Sequence, residues 1–389
     1  MKKKIAVIIN GDLAINRQGQ VNSAINRVKH LMKLDVFDID VYCIQEYDDL
    51  LLRVLHHQNK VSKQNYVEVE GLPIKVFYKR KLLIDSIFES FFKLVPLYST
   101  YCFFHIAKQL KGYDLIVGHS TIGGVVALKV HECFKTKFCV IWHGSDIHTN
   151  PVSNNYIKEI TRKILKTASA NVFVSNSLLK DANSIFNYVH NPHVAYNAPS
   201  EKFVQYCDDL RVKLRKQKDV FGKKVVAFVG NLVPVKNVFT LPGIFKRVRE
   251  RNGNVVFWIV GNGIFYEALH KKVLEAGVSC KFLGNRQPEE MPEIMNCIDV
   301  VILPSLNESF GMVLVEAIAC GAHAVGSKRG GIPEVIGIEN CFELDNTFEE
   351  RIAERIDYML NNDVKQSVNP DFEWKKTALK ENEIYQEII

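Results

Sequence analysis

The chain has 389 residues, 47% of them apolar and 24% charged, which excludes a disordered or fibrous protein and, at this length, favours two hydrophobic cores over one. Nine cysteines, an odd number with no Cys-x-x-Cys pair, exclude a secreted disulfide framework and a zinc ribbon and point to a reducing, cytoplasmic compartment. The formal charge of +7 is uneven, with 25 Lys+Arg against 16 Asp+Glu in residues 1–196 and 25 against 27 in the remainder; a basic first half fits an anionic surface, an acidic partner or simple solvation, and no nucleic-acid motif accompanies it.

Met1-Lys2-Lys3-Lys4 runs into Ile5-Ala6-Val7-Ile8-Ile9, which is too short for a signal peptide and is ended by Asn10-Gly11-Asp12, so it reads as a first strand over 4–9. Val21, Ala24, Ile25, Val28, Leu31 and Met32 then follow helical spacing, and a second strand is predicted over 39–44, completing a β-α-β unit. Asp38-Ile39-Asp40 is a literal Asp-x-Asp, but it opens that strand and is read as structural. Lys79-Arg80-Lys81 precedes a helical stretch, 82–95, in which Asp85, Glu89 and Lys93 share one stripe while Phe88, Phe91, Phe92 and Val95 occupy others. Pro96 ends or kinks that helix, and Tyr98, Tyr101, Phe103 and Phe104 follow. No apolar run reaches the roughly 18 residues of a spanning helix; the stretch is expected either to lie on an anionic membrane surface or to pack as an ordinary core helix. Strands over 114–118, 138–142 and 171–175 continue the alternation.

The segment 197–222, with Ala-Pro-Ser and a charged run from Asp208 to Lys216, interrupts this rhythm and holds the domain boundary. A second series of strands is predicted over 224–229, 255–260, 279–283, 299–303 and 322–326, with helices between them. Alternation of this kind is the signature of parallel sheets covered on both faces by helices. Neither strand one nor the 224 strand leads into Gly-x-Gly-x-x-Gly: Gly11 and Gly19 are too far apart, and Gly261-Asn262-Gly263 lacks the third glycine. A nicotinamide or flavin dehydrogenase therefore loses its main support.

The stretch from Pro304 to Ala317 carries the strongest chemical signal. It directly follows the apolar strand Val300-Val301-Ile302-Leu303, and in open α/β sheets ligands bind beyond the carboxyl ends of strands. Glu308 and Glu316 lie eight positions apart; at about 1.5 Å per residue that is roughly 12 Å if the span is largely helical, comparable to the reach from a sugar through a diphosphate to a ribose. Glu316 sits among Val313, Leu314, Val315, Ala317 and Ile318, where a bare carboxylate is costly to bury. A core salt bridge or a pair of ribose hydroxyls would satisfy it. Glu308 taken alone could be a carboxylate favoured by a helix N-terminus.

Glu308-x7-Glu316 with Ser309-Phe310-Gly311 resembles the E-x7-E signature of glycosyltransferase family 4, retaining enzymes of the GT-B fold. Gly230-Asn231-Leu232-Val233-Pro234-Val235-Lys236-Asn237 is similar to that family's strand-to-helix phosphate segment, with Asn231 where an arginine is usual. Gly330-Gly331-Ile332-Pro333-Glu334 resembles its glycine turn, Phe282-Leu283-Gly284 the strand end near the base, and Phe372-Glu373-Trp374 the start of a helix that crosses back over the N-terminal domain. Trp142-His143-Gly144-Ser145-Asp146 resembles the active-site histidine loop.

The resemblance implies an α/β GT-B protein: two doubly wound Rossmann-like domains facing a central cleft, an acceptor domain over 1–197, a donor domain over 198–370 and a returning helix over 371–389. Closure of the cleft is expected to exclude water. It implies transfer of a hexose or N-acetylhexosamine from a UDP- or GDP-sugar to a saccharide, such as a lipid-linked glycan of surface polysaccharide synthesis, by an enzyme in peripheral contact with the inner membrane face. His143, Lys236 and Glu308 are the implied catalytic residues. Gly230, Asn231, Lys236, Asn237, Gly261, Leu283, Glu308, Ser309, Phe310, Gly311 and Glu316 are the implied donor contacts, and Gly19 and Asp146 the acceptor contacts. No cofactor and no metal is required, although His143, Asp146 and His148 could hold a cation in principle. A nucleotide-sugar epimerase, a sugar phosphorylase and a non-catalytic sugar-nucleotide-binding subunit are the competing readings.

Overall fold

The computed structural model describes residues 2–11, 13, 19–48, 63–82 and 97–389. Residues 83–95 of the helix expected over 82–95, with Pro96, and the loop residue Asp12 lie outside the described residues. The chain forms two compact units, Met1–Asn197 with Glu373–Ile389, and Ala198–Phe372. The chain thus leaves the first unit after Asn197 and re-enters it at Glu373.

In the first unit, strands β1 (Lys4–Asn10), β2 (Asp38–Asp48), β3 (Tyr66–Val69), β4 (Leu72–Lys81), β5 (Leu115–His119), β6 (Lys137–Trp142), β7 (Ala170–Phe173) and β8 (Pro192–Val194) form one sheet in the order β3-β4-β2-β1-β5-β6-β7-β8. All pairs are parallel except β3 with β4. The central strands are apolar along their whole length because helices cover both faces, and Ile5, Ile8, Ile116, Phe138 and Ile141 are fully buried. With the antiparallel β3 set aside, the order reverses between β1 and β5. The crevice beyond the carboxyl ends at such a reversal is where doubly wound sheets place ligands.

The hairpin β3-β4 departs from the sequence expectation. Lys79-Arg80-Lys81 ends β4, where Lys79 reaches Glu46 on β2 at 2.5 Å. Buried Leu72, Ile74 and Val76 alternate with exposed Pro73 and Lys75, the period-two pattern of a half-buried strand. Glu70 and Gly71, with φ of 51° and 78°, form the two-residue turn that joins Val69 to its partner Leu72; positive φ at both positions matches the twist of a hairpin. Asp40, the last residue of Asp-x-Asp, accepts from Lys75 at 2.8 Å and from the Tyr113 hydroxyl at 2.5 Å, and so ties β2 to β4 and to the segment leading into β5.

The second unit holds β9 (Lys224–Val229), β10 (Val255–Val260), β11 (Cys280–Gly284), β12 (Val300–Leu303), β13 (His323–Ser327) and β14 (Cys341–Phe342), all parallel, in the order β11-β10-β9-β12-β13-β14. Its reversal lies between β9 and β12. The charged run expected as part of the boundary is the helix Asp208–Gln217, whose Arg215 binds Asp299 at 3.1 Å inside this unit. Among the described residues no helix is long and apolar enough to cross a membrane.

Candidate functional site

Each unit gathers polar side chains at the carboxyl ends of its reversal strands and of the strand next to them. In the first unit, β6 ends on Trp142, fully buried, whose indole N–H donates to Asn171 Oδ1 at 3.0 Å. Asn171 is in turn held by the carbonyls of Leu165 and His190, so the strand end beneath His143 is fixed. Asp146 then closes the loop on itself, its carboxylate accepting from the amides of Gly144 at 2.6 Å and His143 at 3.1 Å. It is 2% exposed. Burial raises its pKa to about 6 against the lowering effect of those amides. Both oxygens are thus engaged by the loop they cap.

His143 is half-buried, and its Nε2 lies 3.0 Å from Nδ1 of His119, the last residue of β5. The imidazoles stack with centroids 5.2 Å apart and planes 21° apart. Burial, with a smaller contribution from the Arg27 charge, lowers His119 to about 3. Burial first, then His119 and Arg27, holds His143 well below the ordinary histidine value. Ser120, next to His119, has φ of 61° and donates its hydroxyl to Asn10 Oδ1 on β1 at 2.6 Å, so a hydrogen bond spans the β1/β5 reversal. Gly19 opens the helix Gly19–Lys33, exposed, with nothing within 4 Å of where a Cβ would stand.

In the second unit, three loops converge. The loop after β9 turns through a short 3-10 segment, Pro234–Lys236, and Asn237 takes the left-handed conformation at φ 50°, one that asparagine tolerates better than most side chains. The loop after β12 supplies Glu308, and Lys236 Nζ meets Glu308 Oε2 at 2.5 Å with both side chains about one-fifth exposed (22% and 17%). Leu306 N–H donates to Val235 O at 2.8 Å and holds the two loops in register. From the loop after β13, Gly331 N–H donates to Glu308 O at 2.7 Å. A Cβ on Gly330, which has φ of 54°, would stand 1.9 Å from that same oxygen. Gly330→Ala is therefore expected to destabilise the second unit by about 1–3 kcal/mol, the scale of a strained backbone site; an unchanged urea midpoint would contradict the contact.

Gly261, at φ 129°, donates its N–H to Gly284 O at 2.8 Å, and a Cβ there would stand 2.1 Å from Gly230 O. The ends of β9, β10 and β11 are thus packed backbone to backbone, with half-buried Leu283 on the last of them. Asn231 is exposed. The Phe310 ring is buried and stands edge-on to Phe372 at 4.9 Å, so it packs rather than lining an open surface. Gly311, at φ 92°, precedes the helix Met312–Ala319. The span from Glu308 to Glu316 is accordingly only half helical, which corrects the helical distance expected from sequence.

Glu316 sits in the second turn of that helix, half-buried, and its carboxyl has no hydrogen-bond partner among the described residues. Burial raises its pKa to about 8, moderated by the charge of Lys202. Lys328 and Arg329, beside the Gly330-Gly331 turn, both bind half-exposed Glu343, at 3.4 and 2.9 Å. Sequence reading missed His119, Ser120 and Asn10; the available signal was their position at strand ends flanking the reversal.

Residues 211–377 match the model of the family described as glycosyl transferases group 1. The chain is 26% identical over 312 residues to D-inositol 3-phosphate glycosyltransferase of Corynebacterium urealyticum, covering 71% of this chain and 72% of that protein. It is 28% identical over 191 residues to lipopolysaccharide 1,2-N-acetylglucosaminetransferase of Salmonella typhimurium, covering 44% and 49%. Among solved structures, sucrose-phosphate synthase from Thermosynechococcus elongatus superposes with a TM-score of 0.76 at 17% identity, covering 100% of this chain and 99% of that one. Anabaena HepE, solved in complex with UDP, superposes with a TM-score of 0.71 at 20% identity, covering 100% and 98%. The fold is that of the GT-B glycosyltransferases, and residues 211–377 are similar in sequence to group 1 glycosyl transferases.

Proposed function

We propose that this chain is a retaining hexosyltransferase that takes its sugar from a nucleoside diphosphate donor held by the second unit. The observation that carries the reading is the Lys236 and Glu308 pair at 2.5 Å, set at the β9/β12 reversal, with the unpartnered carboxyl of Glu316 on the helix that follows. Breaking the anomeric bond builds negative charge on the departing diphosphate, so cationic and N–H groups must be aimed at it. Lys236 supplies the cation, and the amides at Gly311 and the start of the helix Met312–Ala319 supply dipoles. Glu308 orients sugar hydroxyls, and Glu316 holds the ribose. His143 contacts the sugar near its reacting carbon, and the acceptor attacks on the face from which the diphosphate leaves. These groups provide the stabilisation without a metal. UDP-sugars are the favoured donors because neighbours of the same fold were solved with UDP and UDP-glucose, with GDP-sugars as the alternative. A saccharide acceptor, lipid-linked and met at a membrane surface, accords with the transferase of lipopolysaccharide among the relatives.

A mass-spectrometric screen of UDP- and GDP-sugars is the direct test. Donor-dependent transfer to a saccharide, or slow donor hydrolysis in its absence, is expected. Isomerisation of the donor without acceptor, or binding without turnover under every condition, would sink the reading.

Glu316 adds a pH signature. Its folded pKa of about 8 lies above the ordinary carboxylate value of 4.5, so at pH 7 the unliganded residue is mostly protonated. Ribose hydroxyls donate to a carboxylate, so nucleotide binding favours the ionised form and expels the proton. Calorimetry of UDP at pH 7 in two buffers of different ionisation enthalpy is expected to show release of up to about one proton, with affinity rising up to about tenfold per pH unit toward pH 8. Stability runs the other way. The folded protein holds this proton where the unfolded chain releases it, so Glu316 lowers stability increasingly as pH rises from about 4.5 to about 8. Glu316→Gln should abolish the proton release and raise the thermal midpoint at pH 8 but not at pH 4.5. Proton release that survives the substitution would remove Glu316 from the ribose.

A further inference from the structure

We propose that His119 is a positioning residue that holds His143 in a single neutral tautomer, so that His143 offers the transferring sugar a fixed and uncharged set of ring nitrogens. The inference rests on the reading of His143 as the sugar-contacting imidazole. His119 ends β5 and pairs in register with Ile141, two residues before His143, so neighbouring strands bring together two rings that are 24 residues apart. The contact is specific, Nδ1 of His119 to Nε2 of His143 at 3.0 Å.

A hydrogen bond between two imidazole nitrogens requires one N–H and one lone pair. The bond therefore carries a single proton in one of two coupled arrangements, His119 donating or His143 donating, and the unequal surroundings of the rings, His119 1% exposed and His143 half-buried, favour one arrangement over the other. With Nε2 of His143 committed in this way, its Nδ1 takes the complementary role. An unrestrained neutral imidazole exchanges between both tautomers, and the partner of one nitrogen decides which proton state the other presents. His119 is 1% exposed, so water does not compete for its Nδ1. Burial also keeps both rings neutral at physiological pH.

Neutrality matters for the reaction. As the anomeric bond breaks, positive charge accumulates on the sugar, and an imidazolium beside it would oppose that charge. A neutral ring with its proton in the wrong place would mismatch the sugar hydroxyl it meets. His119 touches neither substrate nor reacting atoms in this scheme and acts only through His143.

The test uses the full chain with His119→Asn and His119→Phe. Asparagine places an amide near the position of Nδ1 and preserves the bond; phenylalanine preserves a buried ring and removes the bond. Two-bond nitrogen–proton NMR spectra of ring-labelled histidine, assigned with His143→Gln, read the tautomer of His143 directly. One tautomer is expected in the wild type and in His119→Asn, and an averaged mixture in His119→Phe. In transfer assays kcat is expected to fall about 10–100-fold in His119→Phe and to stay within about threefold of wild type in His119→Asn, with UDP affinity unchanged in both. Averaged tautomers in the wild type would overturn the proposal whether or not the variants fold. So would a single tautomer persisting in His119→Phe, or equal losses of kcat in the two variants. A protein with no transferase activity on any donor would defeat the functional reading, while the wild-type spectrum would still decide the role of His119.

Discussion

Lys236→Ala is expected to lower kcat/KM for glycosyl transfer by at least about a hundredfold, the scale of losing one strong transition-state contact. Two effects act together. The substitution removes the cation that meets the developing diphosphate charge, and it leaves Glu308, 17% exposed and previously neutralised at 2.5 Å, as an uncompensated anion in the same place. Glu308→Gln on the Lys236→Ala background removes that second effect, so the double variant is expected to bind UDP more tightly than Lys236→Ala alone while remaining slow. Compensation from elsewhere is limited. Asn231 has no charge, and the Arg329 guanidinium is already bound to Glu343 at 2.9 Å. Arg329→Ala should therefore change kcat/KM by less than about threefold, within the range of a surface ion pair. Steady-state kinetics decide: near-wild-type activity in Lys236→Ala would refute the assignment, and a loss confined to the Lys236→Ala, Arg329→Ala double variant would mean that the two share the charge.

The contact between Lys236 and Glu308 shows what sequence could and could not reveal. Both residues were legible because each falls just after a strongly apolar strand, Val225–Val229 or Val300–Leu303, within short spacings that leave few alternatives. Their mutual contact was not, since 72 residues separate them and only the adjacency of β9 and β12 brings them together. The same limit hid His119. Its spacing to His143 has no helical or strand period, and the link exists only through the β5/β6 pairing. The central strands of both sheets could be read from continuous apolar runs. The hairpin β3-β4 could not be read as easily, although Leu72, Ile74 and Val76 alternate correctly, because Lys79-Arg80-Lys81 also suits the flank of an amphipathic helix. Strands β8 and β14 are three and two residues long, too short to carry any period. The extent of helix between Glu308 and Glu316 was not legible for a local reason: Ser309 and Phe310 form a bend that ends on Gly311 at φ 92°, which no right-handed helix includes.

Breaking the buried pair formed by Arg27 and Glu381 is expected to destabilise the first unit by about 3–5 kcal/mol, because either single truncation leaves a charge in a site without water. Arg27 is 1% exposed and Glu381 1%. Arg27 Nη1 donates to Glu381, Nη2 donates to Ala195 O at 2.6 Å and Asn197 Oδ1 at 2.9 Å, and Nε donates to the same Asn197 oxygen at 3.1 Å. Ser23 completes the acceptor side of Asn197 at 2.7 Å, and Tyr385 donates to Glu381 at 3.3 Å. One side chain from the helix Gly19–Lys33 thus grips both places where the chain crosses the boundary of this unit, the exit at Ala195–Asn197 and the returning helix Trp374–Ile388. The planar fork of guanidinium donors makes this possible and a lysine could not reproduce it. Arg27→Lys should accordingly be destabilised as well, though less than Arg27→Ala. A volume-matched apolar pair, Arg27→Met with Glu381→Leu, should recover more than half of the loss, since no charge is then stranded. Thermal midpoints, combined with hydrogen exchange of the amides in the helix Trp374–Ile388, separate the outcomes. Faster exchange of that helix in each single variant and its recovery in the paired variant are expected. Single variants within about 1 kcal/mol of wild type would show that the returning helix is held by Trp374, Ile384 and Tyr385 through apolar burial, with the ion pair contributing no net stability.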